Sequence, residues 1–294
     1  MQGLNEMNGK DTNLLAAFWT IAGDTHPNDS EWISPDSLQM RAEAASKAGW
    51  KGIGLSLDDC RYSVQKYGPP GVQHILTDNG LEFFELEILM DWYTTDGRRE
   101  ASDRARREFL EFGSELGMCN LKVGVSHLDL TPTNHNQMAD EFAKLCEDFG
   151  TINATVGLEF MPFCKVASLA DALPIVRGAN QENGGLIIDI WHVVRSGTTY
   201  EDVAAVPANL IKGIELNDAN ASAIGTLMND STYHRKACGE GEFNCPSFIN
   251  AAKKAGFHQN YWGVEILSDF LRKAPVDVRA KHVFDTTIAQ FNPV

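Results

Sequence analysis

Leu186-Ile187-Ile188-Asp189-Ile190-Trp191-His192 sets an acid inside an apolar run. A short continuous run of this kind reads as a strand buried on both faces, as strands of a parallel sheet are. Three further runs repeat it: Val156-Gly157-Leu158-Glu159-Phe160, Gly213-Ile214-Glu215-Leu216-Asn217-Asp218 and Gly263-Val264-Glu265-Ile266. Between them lie segments of helical period, so the chain alternates strand and helix.

Working outward, the same alternation runs along the whole chain. Strands are predicted at 14–21, 52–57, 82–90, 120–126, 155–160, 185–190, 210–216 and 261–266. Helices are predicted at 34–48, 97–117, 133–149, 165–179, 200–206, 246–255 and 275–290. The first opens with a Ser cap at Ser34 and Pro35 in its first turn and closes at Gly49, and Gly256 is the expected terminator of the 246–255 helix. Eight strands in strict alternation with helices suit a closed (β/α)8 TIM barrel. An open doubly wound sheet has fewer strands and a glycine-rich first turn, and no such motif is present. Gly239-Glu240-Gly241 follows no strand and is not a nucleotide loop. Residues 68–79, with Pro69 and Pro70, are expected to form a loop or short helix over the barrel mouth. The economical division is a flexible polar segment at 1–13 and one barrel domain over 14–294.

A length of 294 residues suits one such barrel. The formal net charge of −15 disfavours nucleic acid and anionic membrane surfaces, which call for clustered Lys and Arg. It suits a neutral polyol or a metal chelate. No run is long and apolar enough to span a bilayer, and no export signal is visible at the N-terminus. Cys60, Cys119, Cys146, Cys164, Cys238 and Cys245 are scattered without a CxxC pair. They read as reduced structural thiols in a cytoplasmic protein, with spacings unsuited to zinc.

In such barrels the chemistry sits at the C-terminal ends of the strands. Glu159, Asp189, Glu215 and Glu265 each fall in an apolar run there. One buried acid is explained as well by a salt bridge. Four in succession, with few Lys or Arg adjacent in sequence, point to a shared divalent cation that offsets their burial. All-oxygen donors suit Mn2+ or Mg2+, with Co2+ a further candidate. Asp218 either supports a ligand or caps the next turn, the cap being favoured.

His192 and His127 stand at the mouth and read as substrate-binding groups, His234 less so. Arg235 is the candidate cation for a developing enolate or alkoxide. Trp19, Trp92, Phe160 and Trp191 either wall a sugar ring or pack in the core.

The strand-five Glu, the Asp189-x-x-His192 spacing and Val264-Glu265 resemble the xylose-isomerase-like barrels. His234-Arg235-Lys236-Ala237-Cys238-Gly239-Glu240-Gly241-Glu242-Phe243 is similar to that group's arginine-containing loop. The group includes sugar isomerases and epimerases, inosose and 3-dehydroshikimate dehydratases, and endonuclease IV. The resemblance implies that Glu159, Asp189 and Glu265 are metal ligands and that Glu159 and Glu265 flank the substrate and move protons. It implies that His192 bonds a substrate oxygen and Arg235 steadies the enolate. Many members carry His where this chain has Glu215, which makes the site harder and leaves open whether Glu215 is a ligand. Such barrels often form dimers or tetramers.

The leading expectation is a metal-dependent isomerase or epimerase of a sugar or keto-polyol, acting by proton transfer beside a carbonyl through an enediolate. Without a glycine-rich phosphate grip, an unphosphorylated substrate is favoured. The alternative is a lyase of the same class: a dehydratase of a cyclic keto-polyol such as an inosose or 3-dehydroshikimate, or cleavage of a 3-keto-glycoside. A non-catalytic sugar-binding barrel is the third reading.

Overall fold

The structure, a computed structural model, describes residues 12–292, so the segment at 1–13 lies outside the described residues except for its last two positions. Eight strands close in sequence order into a parallel barrel. They are β1 (Leu14–Ala16), β2 (Gly52–Ser56), β3 (Phe83–Leu89), β4 (Asn120–Val123), β5 (Thr155–Glu159), β6 (Gly184–Asp189), β7 (Ile211–Leu216) and β8 (Trp262–Val264). Pairing of Leu15 with Gly263 closes the ring.

The helices are α1 (Phe18–Ile21), α2 (Leu38–Ala48), α3 (Leu57–Asp78), α4 (Arg98–Leu116), α5 (His135–Gly150) and α6 (Leu169–Ala179), followed by α7 (Ile190–Arg195), α8 (Tyr200–Ala204), α9 (Leu227–Tyr233), α10 (Cys245–Ala255) and α11 (Val276–Ala289). Local chemistry sets their ends. The Ser37 side chain accepts from the Met40 backbone N–H to open α2, and Gly49, at φ 110, ends it. Gly256 ends α10 at φ 87. The cap of α2 is therefore Ser37 and not Ser34, whose hydroxyl instead donates to the carbonyls of Ala22 and Asp36 in the preceding turn.

Two expectations are corrected. The apolar run at 14–21 divides at Ala17 into a short strand and α1. Periodicity cannot separate a buried strand from a buried helical turn in so short a run. Residues 68–79 do not cover the mouth. Most of the stretch is the second half of α3, which bends at Gly68 and buries Val72, Ile75 and Leu76 in the outer layer. Pro69 and Pro70 stand just after the bend, where a helix dispenses with backbone donors.

The barrel interior is polar toward its C-terminal end. Side chains two apart on a strand share a face, so Glu85 and Glu87 of β3 point the same way, and both are buried. Asp189 of β6 lies opposite Glu215 of β7. Below this layer Ile187 fills the space between Gly157 and Gly213, where added Cβ atoms would come within 2.5 and 2.6 Å of its Cδ1. Ile187 thus floors the acidic layer. All six cysteines are free thiols.

Candidate metal centre

Glu159 is the last residue of β5, Asp189 the last of β6, Glu215 lies near the end of β7, and Glu265 directly follows β8. All four are buried, none more than 5% exposed. One carboxylate oxygen from each lies within 4.8 Å of the others. Parallel strands of one barrel end at the same rim, which is why acids far apart in sequence meet here.

Each acid has a different setting. Asp189 opens α7: its Oδ1 accepts the backbone N–H groups of Trp191 at 2.6 Å and His192 at 3.2 Å. Its Oδ2 accepts from Asn217 Nδ2 at 2.8 Å and Arg235 Nη1 at 3.0 Å. Glu265 Oε2 shares that same Arg235 nitrogen at 3.0 Å, while its Oε1 takes Lys122 Nζ at 2.6 Å. Lys122 Nζ also donates to Glu215 Oε1 at 2.5 Å and Glu87 Oε2 at 3.0 Å. Glu159 stands apart from both cations. His192 Nε2 is 3.2 Å from its Oε1 but out of line for a hydrogen bond, so that buried oxygen receives no donor. Glu215 Oε2 is likewise without one.

Arg235 is the cation expected in the site; the expectation that few others stand beside the acids is corrected by Lys122, which contacts Glu87, Glu215 and Glu265. Neither is next to an acid in sequence; closure of the barrel brings them in. Glu85, Glu87, Glu159, Asp189, Glu215 and Glu265 still outnumber the two cations, so the interior keeps a surplus of negative charge. Burial pushes the Glu85 and Glu87 carboxyls up, to about 7 and about 8, against the pull of Lys122. Burial and then the Glu265 charge push Glu215 well above the usual carboxylate range. At Glu265 burial is outweighed by Lys122 and Arg235, which hold it down at about 2. Burial also raises Asp189 despite Arg235, whereas at Glu159 burial is outweighed by Lys122 together with His192, which hold its carboxyl down.

The donor set fits a hard divalent cation. Four carboxylates converge, two of their buried oxygens have no donor, and the charge balance is negative. Glu159, Asp189 and His192 form a second set of possible ligands.

A cavity of about 270 Å³ opens above the acids. Trp19, His127, His192 and Arg235 line it, as expected, together with Glu159 and Glu265. Trp191 does not. Its ring is fully buried, its Nε1 donates to Asp230 Oδ2 at 2.9 Å, and the Arg235 guanidinium lies over it at 5.4 Å. Trp191 therefore supports Arg235 and makes no wall for a substrate. Trp92 and Phe160 are core residues; Trp32 and Phe163, unremarked in the sequence, take up the aromatic wall. His234 lies outside the cavity lining and its backbone bridges to Ser268.

Asp218 makes no hydrogen bond to the four converging acids; its neighbour Asn217 does, to Asp189. Asp218 Oδ2 accepts the backbone N–H groups of Gly239 and Gly241, and Oδ1 those of Phe243 and Ala219. A Cβ on Gly241 would meet Asp218 Oδ1 at 2.2 Å, which explains a glycine there. This clasp anchors the segment that carries Arg235, and a backbone bridge between Asp218 and Lys236 holds it at the end of β7.

The sequence profile of the xylose isomerase-like TIM barrel family matches residues 42–281. The chain belongs to the xylose isomerase-like TIM barrel family. Among members of this family, it is 25% identical to the 3-dehydroshikimate dehydratase of Pseudomonas aeruginosa over 250 residues, which are 83% of this chain and 38% of that enzyme. It is 23% identical to an inosose isomerase of Bacillus licheniformis over 202 residues, 63% of this chain and 70% of the relative. The IolI protein, solved with a bound zinc atom, shares the fold with a TM-score of 0.81 at 15% identity, covering 96% of this chain and all of that one. The relatives in this xylose isomerase-like family are thus isomerases and a dehydratase.

Proposed function

We infer that this chain is a divalent-metal-dependent isomerase or epimerase of a sugar or keto-polyol, acting by proton transfer beside a carbonyl. The observation that carries this is the convergence of Glu159, Asp189, Glu215 and Glu265 on one point beneath an aromatic-walled cavity. Glu159, Asp189 and Glu265, with Glu215 as the fourth candidate, would hold the ion, for which Mn2+ or Mg2+ suits the all-oxygen donors. When bound, such an ion polarises a carbonyl and stabilises an enediolate.

The chain's own residues supply the rest. Glu159 has an oxygen free of donors and faces the cavity, so it is the better base for a substrate C–H. Glu265 is held ionised by two cations and mainly orients and neutralises. Arg235, fixed by Ser231 and Trp191, presents positive charge at the cavity where an oxyanion develops. His192 and His127 offer hydrogen bonds to hydroxyl groups, and Trp19 and Trp32 exclude water from one side.

Likeness to a dehydratase favours a second reading, in which the same enolate expels a β-hydroxyl. A panel of ketoses, keto-inositols, 3-dehydroshikimate and 3-keto-glycosides, incubated with Mn2+ in D2O, separates the two. Isomerisation incorporates deuterium without loss of mass, and dehydration loses water. Chelation with EDTA is expected to remove activity and Mn2+ or Mg2+ to restore it; full turnover in demonstrably metal-free protein would overturn the metal reading.

A further inference from the structure

The cavity is polar at its base and apolar at its mouth. Glu159, Glu265, His192 and Arg235 form the base. Trp19, Trp32, Met90, Met161, Phe163 and Met228 line the mouth, and each is only half-buried. Large apolar side chains left uncovered in a concave site call for an apolar ligand group to cover them. Two opposed walls carry most of this surface. Trp19 and Trp32 follow β1, with ring centroids 5.1 Å apart, and Trp32 is fixed by its Nε1, which donates to the Pro27 carbonyl at 3.2 Å. Met161 and Phe163 follow β5, four strands away and so across the barrel. Their turn is closed by the Met161 N–H donating to the Val166 carbonyl and the Cys164 N–H to that of Met161. Gly124, just past β4, leaves room for the two thioethers beside this turn: a Cβ there would come within 2.9 Å of Met161 Cε and 3.0 Å of Met90 Sδ. A flat ring suits a slot between indoles on one side and a phenyl and soft thioethers on the other.

We propose that the substrate is an uncharged keto-polyol bearing an aryl substituent, the aryl group lying between the Trp19–Trp32 pair and the Met161–Phe163 turn. Charge supports the choice. Among the described residues that line the cavity, Lys122 and Arg235 are the only Lys or Arg. Both serve acids at the base: the three N–H groups of Lys122 go to Glu87, Glu215 and Glu265, and Arg235 pairs with Asp189 and Glu265. A phosphate or carboxylate at the mouth would meet no counter-ion there. The apolar wall also begins beside the reacting groups. The Phe163 ring lies 6.1 Å from that of His192, and Met161 is two residues beyond Glu159. The aryl group is therefore borne close to the carbon that loses its proton. A bare ketose or keto-inositol would fill the base and leave the mouth wet. An aryl group adds binding away from the reacting atoms, which can be used to orient them.

The inference rests on the keto-polyol reading above. It is tested by incubating the protein and Mn2+ in D2O with phenyl 3-keto-glucoside, its methyl counterpart and a free keto-inositol, each followed by mass spectrometry. The phenyl ketone is expected to exceed the methyl ketone in kcat/KM by about thirtyfold or more. W32L and F163L are expected to cut kcat/KM for the phenyl ketone about tenfold more than for the methyl ketone. Melting curves show whether these variants fold; if neither does, the comparison of ketones on the unsubstituted protein decides. Equal values for phenyl and methyl, or a preference for the keto-inositol, would overturn the aryl assignment and leave the keto-polyol reading intact. A phenyl preference that both folded variants retain in full would overturn the placement of the ring. Binding of the unoxidised phenyl and methyl glucosides, read by tryptophan fluorescence, separates the two ideas further. If no ketone turns over but the phenyl glucoside binds about tenfold tighter than the methyl one, the reaction fails and the aryl site stands. Absence of both turnover and that preference overturns both.

Discussion

Glu159 and Glu265 are the same residue type at equivalent strand ends, yet their surroundings give them different chemistry. Glu265 is held by Lys122 and Arg235 at about 2 and has both oxygens engaged. Glu159 has a bare oxygen beside His192. In the proposed reaction, proton abstraction therefore falls to Glu159. Replacing it by Gln should lower kcat by roughly 10²- to 10⁴-fold, the usual worth of a general base, with an unchanged melting temperature. Substrate-dependent solvent exchange followed by NMR checks this, and exchange at the unsubstituted rate would remove Glu159 from the reaction. For Glu265 the same substitution removes the partner of two buried cations, so the expected signature includes a loss of stability as well as of rate.

At the scale of elements, the site depends on a segment that is neither strand nor helix. Residues 234–243 run between the ends of β7 and β8, and Asp218 fixes them through three of their backbone N–H groups, those of Gly239, Gly241 and Phe243. Removing that carboxylate leaves several buried donors without an acceptor, each costing about 1–3 kcal/mol before water enters. D218A should lower stability by about 2 kcal/mol or more and reduce turnover, because Arg235 would lose its place over Trp191. Chemical denaturation with a panel assay reads both. Retained stability would show that the clasp is dispensable. The sequence signalled this element through the likeness of His234 to Phe243 to an arginine-containing loop, with Gly239-Glu240-Gly241 at its centre. The spacing was legible, but its cause was not: Gly241 is required because Asp218 occupies the space its side chain would need.

For the whole molecule, the consequence is a barrel interior with more acids than bases. Glu85 and Glu87, raised by burial to about 7 and about 8, keep their protons in the folded state at pH values where the unfolded chain has released them. Their contribution to stability is present below the unfolded value near 4.5 and is lost as pH rises toward 8. Glu265, lowered to about 2, works in the opposite sense, and its contribution is complete above the unfolded value. The metal-free protein should accordingly melt at progressively lower temperature between pH 5 and 8, by several degrees overall. A bound divalent cation should flatten that slope by compensating the same charge. Calorimetry at several pH values with EDTA or Mn2+ measures it, and a melting temperature that rises with pH in EDTA would contradict the assignment.

The sequence by itself determined the barrel and the four acids. Both are local patterns: a buried parallel strand must be continuously apolar, and an acid at its end stands out within a few residues. It also limited the first helices poorly, because a run such as 14–21 satisfies a buried strand and a buried turn alike. Only the tertiary structure decided how the acids are balanced. Lys122 lies 93 residues from Glu215 and 143 from Glu265, and Arg235 lies 46 from Asp189. Burial makes their pairing consequential, and closure of the ring makes it possible. Neither leaves a periodic trace along the chain. The same closure turned Trp191 away from the cavity and gave Asn217, not Asp218, the contact with Asp189.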